Sequence, residues 1–179
     1  AGIHPIKINA VALKGTNEDE LQELAGLTLS FPFHVRFIEY MPMGCSRVER
    51  QQQILTQEIR ETIESVHGKL LPVSREANDG PAKKFRIRNA PGVVGFITPI
   101  SSHFCSQCNR LRLTSRGTLR PCLLNDYEKD ILGPLRSGAS DSQLADIIRA
   151  SLLKKPMDHH INPAKSEDIP VSHMTSIGG

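Results

Sequence analysis

The sequence predicts an α/β chain: a strand–helix–strand unit, then a hairpin-rich α+β region. Three observations carry this. Ile6 to Leu13 and Val35 to Met41 read as strands flanking a helical pattern, a βαβ unit that favours parallel pairing. Lys83 to Arg88 and Val93 to Ile97 read as a hairpin, and so do Asn109 to Thr114 and Thr118 to Cys122. Two further segments, Leu55 to Val66 and the one after Ser140, follow helical spacing.

Each element has a local reason. Gly15-Thr16 turns the chain, and Asn17 with Glu20 forms a capping-box pattern for a helix whose apolar face is Leu21, Leu24, Ala25 and Leu27. Pro32 breaks that helix. Met41 to Ser46 is a loop containing Pro42 and Gly44. Leu55, Ile59, Ile63 and Val66 give the next helix its apolar face, and Gly68 stops it. Asn89 to Gly92 turns one hairpin. Ser115-Arg116-Gly117 turns the other, and Pro121 places its return strand at an edge. Ser140 caps the last helix with Gln143 in the capping-box position. Leu144, Ile147, Ile148, Ser151 and Leu152 follow, and Pro156 ends it. A boundary is expected near Met43, giving segments 1–43 and 44–156. The polar tail, 157–179, ends Gly178-Gly179 and alone would be mobile.

Composition narrows the classes. Charged residues make up 23% and hydrophobic residues 39% of the 179, ordinary for a globular protein. No apolar run approaches the roughly 20 residues that span a membrane. A net charge of +3 does not indicate a general nucleic-acid binder, and 4% aromatic residues with no Trp argue against base stacking. Four cysteines are sparse for a disulfide scaffold.

The chemistry concentrates in Ser101 to Leu123. Cys105 and Cys108 form a tight chelating loop, and a hairpin folded near Arg116 brings Cys122 back towards them. Arg110, Arg112, Arg116 and Arg120 are interleaved with these thiols. Soft ligands beside fixed positive charge suggest a metal centre next to an anionic substrate. Two ligand sets are open: a 4Fe-4S cluster on three thiolates, leaving one iron for a small molecule, or a zinc site completed by His103. Arg110 and Arg112 point the same way on a strand, and paired guanidiniums suit a polyphosphate or purine edge. Arg116 and Arg120, at or beyond the turn, read as surface charge.

Cys105-Ser-Gln-Cys108-Asn109-Arg110-Leu111-Arg112-Leu113-Thr114, followed by Gly117-x-Leu119-Arg120-Pro121-Cys122-Leu123, resembles the C-terminal cluster motif of the GTP 3',8-cyclase family. These are radical S-adenosylmethionine (SAM) enzymes that open molybdenum cofactor biosynthesis. Lys7 within Ile6 to Val11, Gly15-x-Asn17, Arg36 to Met41 and the Gly-Gly end agree with it.

The resemblance implies that residues 1–43 are the later part of an incomplete TIM-like barrel. The α+β region would then carry an auxiliary 4Fe-4S cluster on Cys105, Cys108 and Cys122. It further implies GTP contacts from Lys7, Arg110, Leu111 and Arg112, a SAM contact from Met41, and an active-site plug at Gly178 and Gly179. Such enzymes hold a second 4Fe-4S cluster on a Cys-x-x-x-Cys-x-x-Cys loop, which this sequence lacks. The chain is therefore expected to be a C-terminal portion, inactive alone. Its expected partners are GTP, the N-terminal half of the barrel, a downstream pyranopterin-forming enzyme and a second copy in a homodimer; membrane and nucleic acid are not among them. The expected location is the bacterial or archaeal cytoplasm, or the mitochondrial matrix in a eukaryote. No role is assigned to Arg36, Cys45, His159 or His160. The alternatives are a structural zinc module without catalysis and a radical SAM relative with another substrate.

Overall fold

The computed structural model describes residues 2–44, 48–75, 79–159, 161, 169–172 and 177. They fall into two compact units: 1–41 with 48–104, and 42–47 with 105–179.

The first unit is built on β1 (Lys7–Val11), α1 (Leu21–Ser30), β2 (His34–Ile38), α2 (Thr56–His67), β3 (Leu71–Pro72), β4 (Lys83–Arg86) and β5 (Val93–Ile97). The strands form one mixed sheet in the order β1-β2-β5-β4-β3. β1 and β2 are parallel, as the βαβ reading expects, with Lys7 beside His34 and Asn9 beside Arg36. β4 and β5 are the expected hairpin. The sheet also pairs β5 in parallel with β2, with Phe37 opposite Phe96. A boundary after Met43 would cut this ladder. The unit instead takes in residues 48–104, because pairing between distant strands, not local composition, decides what packs together.

Strand alternation gives the sheet two unlike faces. Val35, Phe37, Val94 and Phe96 are buried with Leu21 and Ala25 of α1 and Ile59 and Ile63 of α2. Phe96 stacks on Phe37 and meets Phe85 edge-on, with ring centroids 6.1 and 5.6 Å apart. The opposite face carries Lys7, His34, Arg36 and Lys84 by register.

Two ends differ from the sequence reading. Asn17 does not cap a helix. Its Oδ1 accepts from the Leu13 amide at 2.9 Å and its Nδ2 donates to the Val11 carbonyl at 2.9 Å, closing the loop after β1 instead. At α2 the side chain of Leu55 cannot cap, and the Glu39 carboxylate accepts the Thr56 amide at 2.9 Å.

The second unit contains β6 (Arg112–Leu113), β7 (Thr118–Arg120), β8 (Lys129–Asp130), α3 (Leu132–Arg136) and α4 (Asp141–Leu152). The three strands form an antiparallel sheet, β6-β7-β8. The expected hairpin is present, though β6 is shorter than the alternation at 109–114 suggests. Ser140 and Gln143 cap α4 reciprocally, as read from the sequence. The tail, by contrast, is tied down where it is described. Ile161 and Ile177 are buried, and the Pro170 carbonyl accepts the Gly44 amide at 2.8 Å. Among the described residues, no helix is long and apolar enough to cross a membrane.

Candidate metal and anion site

Cys105 to Gln107 form one turn of 3-10 helix, closed by the Cys108 amide donating to the Cys105 carbonyl at 3.1 Å. This turn sets the spacing of Cys105 and Cys108. The chain then runs into β6, reverses at Gly117 and returns along β7 to Cys122, with Arg112 opposite Arg120 and Leu113 opposite Leu119. Gly117 is required twice over. Its φ is +75°, and a Cβ there would lie 2.4 Å from the Leu132 Cβ. Its carbonyl accepts the Ile131 and Leu132 amides at 3.1 and 3.0 Å, pinning the turn to the start of α3.

Cys105, Cys108 and Cys122 are all half-buried and none is in a disulfide. They share one electrostatic neighbourhood. Burial pushes the Cys105 thiol up, a hydrogen bond from the His159 backbone opposes this, and the charges of Cys122, Asp158 and Cys108 raise it further. The Arg112 guanidinium is pulled below its ordinary range by burial and by Arg110, while Cys108 and Cys122 support its charge. Cys105, whose thiol is held above its ordinary range, thus neighbours Cys108, Cys122 and, through them, a half-buried cation. Arg110 is exposed, Leu111 is half-buried, and the Arg110 carbonyl accepts from Lys155 Nζ at 2.6 Å, joining this segment to the end of α4. His159, to which no role was assigned, lies beside Asp158, with Nδ1 4.0 Å from its carboxylate.

Arg120 overturns its reading as surface charge. It is 0% exposed. Nε donates to the Cys122 carbonyl at 3.2 Å, Nη2 to the Leu123 carbonyl at 3.2 Å and Asp126 Oδ1 at 2.9 Å, and Nη1 to Ser172 Oγ at 2.7 Å and Glu128 Oε1 at 3.4 Å. Position at the end of a hairpin gave no sign of this, because its partners come from later in the chain. Arg116 is exposed as expected and reaches Glu128 at 3.4 Å.

In the first unit, Lys7 is exposed on β1 and Met41 is half-buried just beyond β2. Lys7 belongs to a basic face. The His34 pKa is lowered by burial, then by Arg36, Lys7 and Lys84, with Asp79 opposing. His34 is thus held in its neutral form among cations. Gly95 makes room there: a Cβ would sit 3.2 Å from Arg36 Cγ. The sequence reading assigns Arg36 no role. Counting across the ladder puts Arg36 and His34 on the same side as Lys7. Gly178, Gly179, Cys45 and His160 lie outside the described residues.

Residues 33–161 match the family model described as Molybdenum Cofactor Synthesis C. The chain belongs to that family. Among its relatives are proteins named GTP 3',8-cyclase. One from Pelotomaculum thermopropionicum is 46% identical over 162 residues, covering 90% of this chain and 50% of the relative. One from Moorella thermoacetica is 47% identical over 161 residues, with coverages of 90% and 50%. One from Thermodesulfovibrio yellowstonii is 41% identical over 181 residues, covering 100% of this chain and 54% of the relative. The chain therefore spans about half the length of the curated relatives it matches, and corresponds to their C-terminal portion.

Proposed function

We propose that this chain is the substrate-holding part of a GTP 3',8-cyclase, a radical SAM lyase acting in molybdenum cofactor biosynthesis. The observation that carries the reading is the shared neighbourhood of three unpaired thiols and the half-buried Arg112. The donor set fits a 4Fe-4S cluster: Cys105, Cys108 and Cys122 would hold it. When bound, that cluster supplies one iron site without a protein ligand, open to a substrate atom.

The chain's own residues then divide the work. Arg112 and Arg110 offer planar paired donors to the anionic substrate, and Leu111 between them packs against it. Lys7 adds a further positive charge for the phosphates, on a face with Arg36 and Lys84. Neutral His34 offers that face a hydrogen bond without adding charge. Met41 would contact SAM, and the family resemblance gives Gly178 and Gly179 the role of a plug. Positioning is the protein's share of the catalysis, and the cofactors supply the radical chemistry.

SAM cleavage would fall to a second 4Fe-4S cluster held elsewhere in the whole enzyme. β1 is the terminal strand of its sheet, and exposed Val11 suits pairing with further barrel strands. The whole enzyme would work in the bacterial cytoplasm and pass its product to a pyranopterin-forming enzyme. This chain alone is expected not to cyclise GTP.

In the full-length enzyme, Arg112→Ala is expected to weaken GTP binding at least tenfold, the loss of one charged hydrogen-bonding partner at about 1.5–3 kcal/mol, with iron content unchanged. Calorimetric titration beside an iron assay checks it. Unchanged GTP affinity would remove Arg112 from the substrate site.

A further inference from the structure

β7 ends at Arg120, and Pro121 follows with no amide proton to continue the ladder. The strand therefore does not itself fix Cys122. What lies beyond it is organised by the Arg120 guanidinium, whose five N–H donors all meet acceptors. Two of these acceptors are the carbonyls of Cys122 and Leu123. A fully buried cation is costly unless its partners are in place, so the burial of Arg120 holds only while residues 122–128 keep this path.

Asp126 extends the arrangement to the tail. Oδ1 takes Arg120 Nη2 at 2.9 Å and Ser172 Oγ at 2.8 Å, while Oδ2 takes the Val171 amide at 2.8 Å. Ser172 Oγ also accepts from Arg120 Nη1. One cation and one carboxylate thus join the loop bearing the third thiol to the C-terminal segment at 170–172.

We infer that Arg120 is a positioning residue that sets Cys122 against the Cys105–Cys108 pair, and that Asp126 seats the C-terminal segment on the same loop. The first half rests on the reading of the three thiols as one ligand set; the second does not.

Two variants of the full-length enzyme test it. Arg120→Lys keeps the charge but offers three donors to five acceptors. In metal-free protein, Cys122 should alkylate about tenfold faster than in the parent, with Cys105 and Cys108 unchanged, the mark of one loosened loop. After reconstitution, the variant should lose iron faster and show a shifted electron paramagnetic resonance signal. Equal acceleration at all three thiols would mean general unfolding, and an unchanged Cys122 would mean β7 suffices; either overturns the role of Arg120.

Asp126→Asn can still accept from Arg120 but presents an amide to Val171 N–H if its oxygen serves the guanidinium. The Val171 amide should exchange about five- to tenfold faster, as loss of one hydrogen bond worth about 1 kcal/mol requires. Unchanged exchange overturns the seating role. If the parent itself takes up zinc and no iron, the proposed function fails, while the alkylation and exchange results still decide the clasp.

Discussion

Glu39 sits 1% exposed at the end of β2 and is spoken for on both oxygens. Oε1 accepts the Thr56 amide and the Ser101 hydroxyl; Oε2 accepts the Ile100 and Ser101 amides at 3.1 and 2.9 Å. Burial alone would raise its pKa, but the hydrogen bonds from Ser101 and Thr56 win and hold it below the usual carboxylate range. The sign follows. A depressed carboxylate stabilises the fold fully above its unfolded pKa of about 4.3, and the contribution is lost as pH falls through the lower folded value. Asp126 behaves alike, with Val171, Ser172 and Arg120 overcoming its burial. Glu39→Gln is therefore expected to cost about 1–3 kcal/mol at neutral pH, since an amide meets donors where a carboxylate accepted them. It should also flatten the stability loss on acidification. Urea unfolding across pH 3–7 checks both; a parallel pH profile in the variant would assign the acid limb to other groups.

At the level of elements, the β6–β7 hairpin depends on Gly117. Gly117→Ala places a side chain at φ +75° and against Leu132. The variant should lose about 1–3 kcal/mol in thermal or urea unfolding, and Leu132→Ala in the same chain should return part of it. Equal stability would mean that α3 shifts freely. Elements with local signals were legible in the sequence: the Ser140–Gln143 cap, Gly68 as the stop of α2, both hairpins, and the parallel β1–β2 pair. What the sequence hid was set by distant partners. Glu39 replaces a local cap on α2, β5 joins β2 across a long separation, and Asn17 spends its side chain on the preceding loop. Of the site, the cysteine pattern and the Arg110–Arg112 pair stand out at short range. Buried Arg120 and the membership of Arg36 in a basic face appear only when strands are paired and the tail is placed.

On the scale of the whole molecule, one unit presents a basic sheet face and the other gathers thiols around a half-buried arginine. The proposed function draws on each of these two features. The chain spans about half of its relatives, so turnover is not the direct test of what it contributes. Metal content is. Iron, sulfide and zinc should be measured per polypeptide, with a visible spectrum, after anaerobic reconstitution of the full-length enzyme carrying Cys105→Ser, Cys108→Ser and Cys122→Ser together, against the parent. The account predicts that the triple variant loses about four iron and four sulfide relative to the parent, the content of one 4Fe-4S cluster. It also predicts that GTP changes the visible spectrum of the parent and leaves that of the triple variant unchanged. Equal iron in both proteins, or one zinc lost and no iron, would contradict it.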